Sequence, residues 1–200
     1  MSKIEEKDAW KALDISDYAA AAQIWEQLID SCSSEAEADS YKHGYGYALV
    51  GLKRWDEARA IYQGLYDKNG SHVYVHQLGM VEREAGNYQA AAALSKREWR
   101  MLPGDDNLAK AANLYEQGLI AHLSNNHDAA MKFAEQCLDL SVLTNDKVMH
   151  GCAHRLLGDL LCQNDPDSAR SHYEKSCMLF GKAGDPIACR EVNEKLKEIT

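Results

Sequence analysis

The sequence predicts an all-α protein, and three observations carry that expectation. The first is composition: over 200 residues, 46% are hydrophobic and 26% charged, with only 3 prolines, 2 phenylalanines and few β-branched runs. That balance favours helices over a sandwich or barrel and gives enough apolar material for a core. The second is a recurring pair of small residues. Gly46 is followed twelve residues later by Ala58, Gly79 by Ala91, Gly118 by Ala130 and Ala9 by Ala21, while Gly158 is followed eleven later by Ala169. The third is a short run of turn formers before each alanine, such as GlyAsnTyr before Ala91 and AsnAsnHisAsp before Ala130.

Taken in order, these signals predict hairpins over about 3–30, 39–68, 72–101, 107–141 and 147–180, and a last helix over 186–199, all within one domain of residues 1–200. The first hairpin carries Ala9 where the others carry glycine. The second holds Gly44 and Gly46 inside a helical stretch, where each costs about 1 kcal/mol relative to alanine, so something must need the missing side chain. Two antiparallel helices approach closely only where side chains are small, which assigns the glycine and the alanine to the crossing within each hairpin. On this reasoning Gly79→Leu inserts bulk and costs about 1–3 kcal/mol. Trp25, Tyr62 and Tyr173, each four residues after its alanine, are expected to fill the space between successive hairpins. Gly46 to Gly79 is 33 residues but Gly79 to Gly118 is 39 and Gly118 to Gly158 is 40, so the later units are longer. In Asp165-Pro166 and Asp185-Pro186 a carboxylate N-cap precedes a proline at the first helical position. The final helix aligns Ala188, Val192, Leu196 and Ile199 on one stripe, as a capping helix does, with charged residues elsewhere.

These units resemble the tetratricopeptide repeat (TPR), a pattern of about 34 residues reading W-x2-L-G-x2-Y, then A-x3-F, then P. Leu78-Gly79, Ala91 and Pro103 match it, as do Leu157-Gly158, Ala169 and Tyr173 with one residue missing in the turn. Tyr45-Gly46-x2-Leu49 and Gln117-Gly118-x2-Ala121 match more loosely, and the C-terminal half resembles a long-repeat variant. The resemblance implies a right-handed superhelical solenoid of antiparallel hairpins with a C-terminal capping helix. It also implies a concave groove lined by the first helix of each hairpin. The repeat register places His43, Tyr47, His76, Met80, Tyr115, Leu119, His122, Arg155 and Asp159 there as peptide-binding candidates. Tyr, Met, Leu and His with one Arg suit a peptide with apolar anchors.

The carboxylate clamp with which some members of this family hold acidic chaperone C-termini is absent: its places carry Glu6, His43, Tyr47, His76 and Met80. With a net charge of −9 and no Lys/Arg cluster, the expected partner is a neutral or basic protein or peptide segment, not nucleic acid. The start MSKIEEKDAW lacks a signal-peptide order and no stretch is apolar enough to span a membrane, which points to a cytoplasmic protein with no membrane partner. The six cysteines show no CxxC pair and are expected to be buried reduced thiols. His72/His76 and His150/His154 each share a helix face, yet no third ligand is placed, so no metal and no cofactor are expected. No nucleophile elbow, phosphate loop or Cys-His signature appears, and no catalytic residue is assigned. The reading is a non-enzymatic peptide-binding scaffold, the alternatives being a dedicated chaperone or regulatory sensor module and, further off, a metal-dependent or catalytic protein. Self-association through Trp10 or the last helix would be a separate role.

Overall fold

Polar caps fix where the helices begin. In this computed structural model, which describes residues 5–199, Asp17, Ser34, Asp106, Asn126, Asp146, Asp165 and Asp185 each accept a hydrogen bond from a backbone N–H in the first turn of the helix that follows, satisfying donors the helix cannot. The described residues contain eleven helices: α1 (Glu6–Asp14), α2 (Tyr18–Ser31), α3 (Glu35–Gly51), α4 (Trp55–Asn69), α5 (His72–Glu84), α6 (Tyr88–Met101), α7 (Asn107–Leu123), α8 (His127–Val142), α9 (Lys147–Leu161), α10 (Pro166–Ala183) and α11 (Pro186–Glu198). Lys3 and Ile4, where the first hairpin was expected to begin, lie outside the described residues. The chain divides into two compact units, Met1–Leu94 and Ser95–Thr200, the boundary falling within α6.

Within four hairpins the turn is the same device. Ser16, Lys53, Gly86 and Asn125 take positive φ of 59°, 58°, 80° and 57°. The next residue's N–H reaches back to a carbonyl five residues earlier: Asp17 to Ala12, Arg54 to Leu49, Asn87 to Glu82 and Asn126 to Ala121. This is a left-handed cap that closes the first helix and aims the chain back along it. The residue expected to be missing from the turn between α9 and α10 is missing from the helix instead: α9 ends three residues after Gly158, where α3, α5 and α7 run five past their glycines, the connection 162–165 is four residues rather than three, and Asp165 N–H bonds the Leu161 carbonyl four residues back.

In the first unit, glycines are the floor on which aromatic rings lie. A Cβ at Gly46 would sit 2.3 Å from the Tyr62 ring, one at Gly44 2.3 Å from Trp25, and one at Gly51 2.2 Å from Tyr18. Gly46 meets its own hairpin mate, as expected. Tyr62 therefore packs chiefly inside its own hairpin, across Gly46, with its hydroxyl donating to the His43 carbonyl at 3.1 Å. The expectation that it fills the gap between hairpins is corrected to that extent, although its cluster continues to Leu78 and Val81 on α5. Trp25 does bridge hairpins, reaching from α2 to Gly44 on α3. Gly79 is different: a Cβ there would meet only Leu94 Cβ at 3.7 Å and the Ala91 carbonyl at 3.9 Å, ordinary contact distances. The crossing is where it was expected but is the least crowded of those at Gly46, Gly79, Gly118 and Gly158, with room for a methyl group.

In the second unit the same rule holds with different fillers. Gly158 lies under Tyr173 of its own hairpin, with 2.6 Å from a built Cβ to the ring, so Tyr173 too packs within its hairpin. Gly118 faces Phe133 and Ala130 of its mate at 3.7 and 3.8 Å, and also Leu156 of α9 at 2.7 Å. Asn113, fully buried, donates to the Ser95 carbonyl (2.9 Å) and to Glu98 Oε2 (2.7 Å), tying α7 to the end of α6. At the C-terminus Val192 is buried, and Ala188, Leu196 and Ile199 pack with it against Tyr173 and Phe180, so the predicted stripe of α11 covers the end of the core.

The cysteine expectation needs correcting. Cys177 on α10 and Cys189 on α11 form a disulfide (S–S 2.12 Å), while Cys32, Cys137, Cys152 and Cys162 are free thiols. The tight turn at Gly184, φ 77°, folds α11 back on α10 and brings the two Cα atoms to 4.6 Å, a proximity that a spacing of twelve residues does not advertise.

Candidate functional site

A hollow of about 680 Å³ opens on the first unit, walled by α1, α3 and α5, the first helices of its hairpins, and by the starts of α2 and α4. Of the sequence candidates, His43, Tyr47 and Met80 line it together. Tyr47 is held on both sides. Its hydroxyl accepts from Gln77 Nε2 at 2.8 Å, and its ring sits 5.3 Å from His43, 6.1 Å from Trp10 and 6.4 Å from Tyr62, centroid to centroid. His43 also packs edge-on to Tyr74 at 5.9 Å. Burial pushes the Tyr47 phenol above its usual range and the His43 imidazole below its usual range, so at neutral pH both present uncharged rings. His76 is not among the lining residues.

The register did not place Trp10, Tyr18, Trp55 or Gln77 at this site. Trp10, Tyr18 and Trp55 line the hollow, and Gln77 holds Tyr47 from behind. A signal was present for two of them: Tyr18 and Trp55 both stand three residues before the hairpin alanine, opening the second helix. Trp10, 37% exposed, forms an edge-on pair with Trp25 at 5.3 Å and belongs to the wall. The charges at the rim are Asp14 and Glu84 against Lys53.

The candidates of the second unit have other partners. Arg155 Nη2 donates to the Tyr115 hydroxyl (2.8 Å), Nη1 to Glu191 of α11 (3.2 Å), and its guanidinium stands 5.9 Å from the Phe180 ring centroid. Asp159 accepts from the Tyr173 hydroxyl (2.7 Å) and pairs with Lys195 of α11 (2.8 Å). The two charged candidates are thus engaged by the chain's own last helix. Burial raises the Tyr115 phenol above its usual range despite the neighbouring guanidinium. Leu119 packs into the hydrophobic cluster of α7, α8 and α9, and His122 is exposed near the end of α7.

Of the histidine pairs, His150 and His154 stack at 5.0 Å, and His154 Nδ1 lies 2.9 Å from His172 Nδ1 on α10. Among the described residues no group of three or more His, Cys, Asp or Glu is arranged to hold a metal ion, and no helix is long and apolar enough to cross a membrane.

No family model matches the chain, and no curated protein matches it. Solved structures do. The MamA RS-1 ArsTM double mutant is 15% identical over 90% of this chain and 98% of that chain, with a TM-score of 0.53. A putative kinesin light chain of nearly identical TPR-like repeats from Podosopora anserina is 14% identical over 88% of this chain and 93% of that chain, with a TM-score of 0.56. BtubC (BKLC) from P. vanneervenii is 14% identical over 96% and 76%, with a TM-score of 0.54. At such identities the likeness is one of fold, and it shows that fold: an all-α, TPR-like helical repeat, as the glycine–alanine register predicted.

Proposed function

We propose that the protein is a non-enzymatic scaffold that binds a protein or peptide segment in the hollow of its first unit. The observation that carries this reading is the clustering of Trp10, Tyr18, His43, Tyr47, Trp55 and Met80 around one opening of about 680 Å³. Aromatic rings give large contact area at small entropic cost, Met adapts to irregular partners, and an open apolar hollow with a polar rim is how an anchored peptide is held. The ring cluster is pre-set by packing and by the Gln77–Tyr47 bond, so little ordering cost falls on binding. At the rim Glu84 is already paired with Arg83, and Asp14 and Lys53 offset each other, so the preference for a neutral or basic segment rests on the −9 of the chain. In the second unit, Tyr115, Leu119 and His122 are the remaining first-helix candidates for peptide contact, while Arg155 and Asp159 serve the chain's own end.

Selection from a random peptide display library tests the reading. Recovered peptides should carry apolar anchors with neutral or basic flanks, and should lose at least about tenfold in affinity to a Tyr47→Ala, Met80→Glu variant that keeps its helical circular dichroism. Equal affinity of that variant for every recovered peptide would overturn the hollow as the site.

A further inference from the structure

A second cavity lies elsewhere and has the opposite electrostatic character. It measures about 540 Å³, within the range of about 300–1,000 Å³ typical of ligand sites. Its walls are the end of α6 and the face of α8, both second helices of their hairpins, with α7 as the floor. Trp99, Leu114, Phe133 and Leu140 make it apolar. Trp99 remains 40% exposed, a large ring left without cover.

Lys96 and Arg100 stand one helical turn apart on α6, flanking Trp99 at the cavity edge, and both are exposed. Neither has a hydrogen-bond or ion-pair partner among the described residues; this differs from Arg54, Arg59, Lys68 and Arg155, each of which is paired with a carboxylate. Asp139 is the lone acidic group in the lining, so the cations exceed the anion by one at a place where the chain as a whole is at −9. Two unpaired cations beside an uncovered tryptophan select a ligand that is apolar at its centre and anionic beside it. The groove is open to solvent and follows α8 from Phe133 through Gln136 to Leu140, a length of two turns, which suits a chain segment more than a compact molecule.

We infer that this groove between α6 and α8 docks a short acidic peptide segment, an aromatic or branched aliphatic anchor seated on Trp99, Phe133 and Leu140 with adjacent carboxylates on Lys96 and Arg100. The site is independent of the hollow in the first unit, and its ligand has the opposite charge. A scaffold with both would hold two segments of unlike charge on one chain.

The same display library, screened against the Tyr47→Ala, Met80→Glu protein, isolates this second site from the first. The expected result is a set of peptides with Asp or Glu next to Leu, Phe or Trp. Their affinity should fall at least about tenfold in a further Lys96→Glu, Arg100→Glu variant and weaken with added salt. Trp99→Ala should cause a similar loss through the apolar contact. Three results would each overturn the inference: no acidic peptide recovered, acidic peptides that bind the charge-reversed protein equally well, or dodecanoate binding at this groove while peptides do not. Because Lys96 and Arg100 are exposed and unpaired, their reversal leaves the fold intact, which circular dichroism checks.

Discussion

The two units use the same small-residue register and give their first-helix walls opposite fates. In the first unit His43, Tyr47 and Met80 face an open hollow. In the second, Arg155 and Asp159 occupy comparable repeat positions but are tied to Glu191 and Lys195 of α11. A terminal unit must cover an end that has no next repeat, and the polar groups on its inner wall become the anchors of the cap. A register position therefore assigns a residue to a wall, while what lies opposite that wall decides whether the residue is available to a ligand.

The largest expected effect tests whether ring-on-glycine packing is what makes the first unit rigid. Gly46→Leu should cost about 3 kcal/mol or more, because even its Cβ overlaps the Tyr62 ring and expels a buried phenol from its bond to the His43 carbonyl. Gly79→Ala, with ordinary contacts around its Cβ, should leave stability unchanged or raise it by up to about 1 kcal/mol through helix propensity. Urea denaturation of the two variants reads the contrast, and equal losses would break it.

A smaller effect belongs to the second unit alone. Cys177→Ser removes the bridge between α10 and α11 and should destabilise the capped end by about 2–3 kcal/mol, the entropy of a short closed loop. Reduction with dithiothreitol should lower the melting temperature of the native protein in the same way and leave the Ser variant unmoved. Differential alkylation and mass spectrometry of freshly isolated protein would report the state of the pair, and free thiols there would match a cytoplasmic location.

The last effect is a pH dependence carried mainly by the second unit, which holds His150, His154 and His172. His154, only 7% exposed, is pushed down to about 4 by burial first, then by His172, His150 and Lys175 facing it. A depressed histidine is neutral when folded but takes up a proton near pH 6.5 when unfolded. Its contribution to stability is thus complete above about 6.5 and is lost as the pH falls toward about 4. His43, His150 and His172 are lowered in the same direction by burial. Melting curves between pH 7 and 4 should show the decline, and His154→Gln should flatten it.

Much of the fold was legible because its determinants are local. Helix starts at Pro166 and Pro186 follow from a carboxylate cap before a residue with fixed φ, whereas the eleven-residue spacing from Gly158 to Ala169 is met by an earlier end to α9 and not by a shorter turn. The site was legible only in part. Tyr47 and Met80 follow from register, but Gln77 behind Tyr47 and the ring of Trp10 across from it belong to contacts between helices distant in sequence. Trp25, Tyr62 and Tyr173 share one repeat position and one expected place between hairpins, but only Trp25 reaches across to the next hairpin's glycine while Tyr62 and Tyr173 turn over the glycine of their own, a choice of side-chain direction that the spacing leaves open.

By itself the sequence determined that the chain is helical, that its helices pair in hairpins, and which small residues lie at each crossing, since period, caps and turns act over a few residues. Tertiary structure decided which rings fill which glycine floor, that Cys177 and Cys189 meet, that α11 takes Arg155 and Asp159 for itself, and that Lys96 and Arg100 stand unpaired beside Trp99. Those outcomes depend on distances between side chains far apart along the chain, which no local pattern encodes.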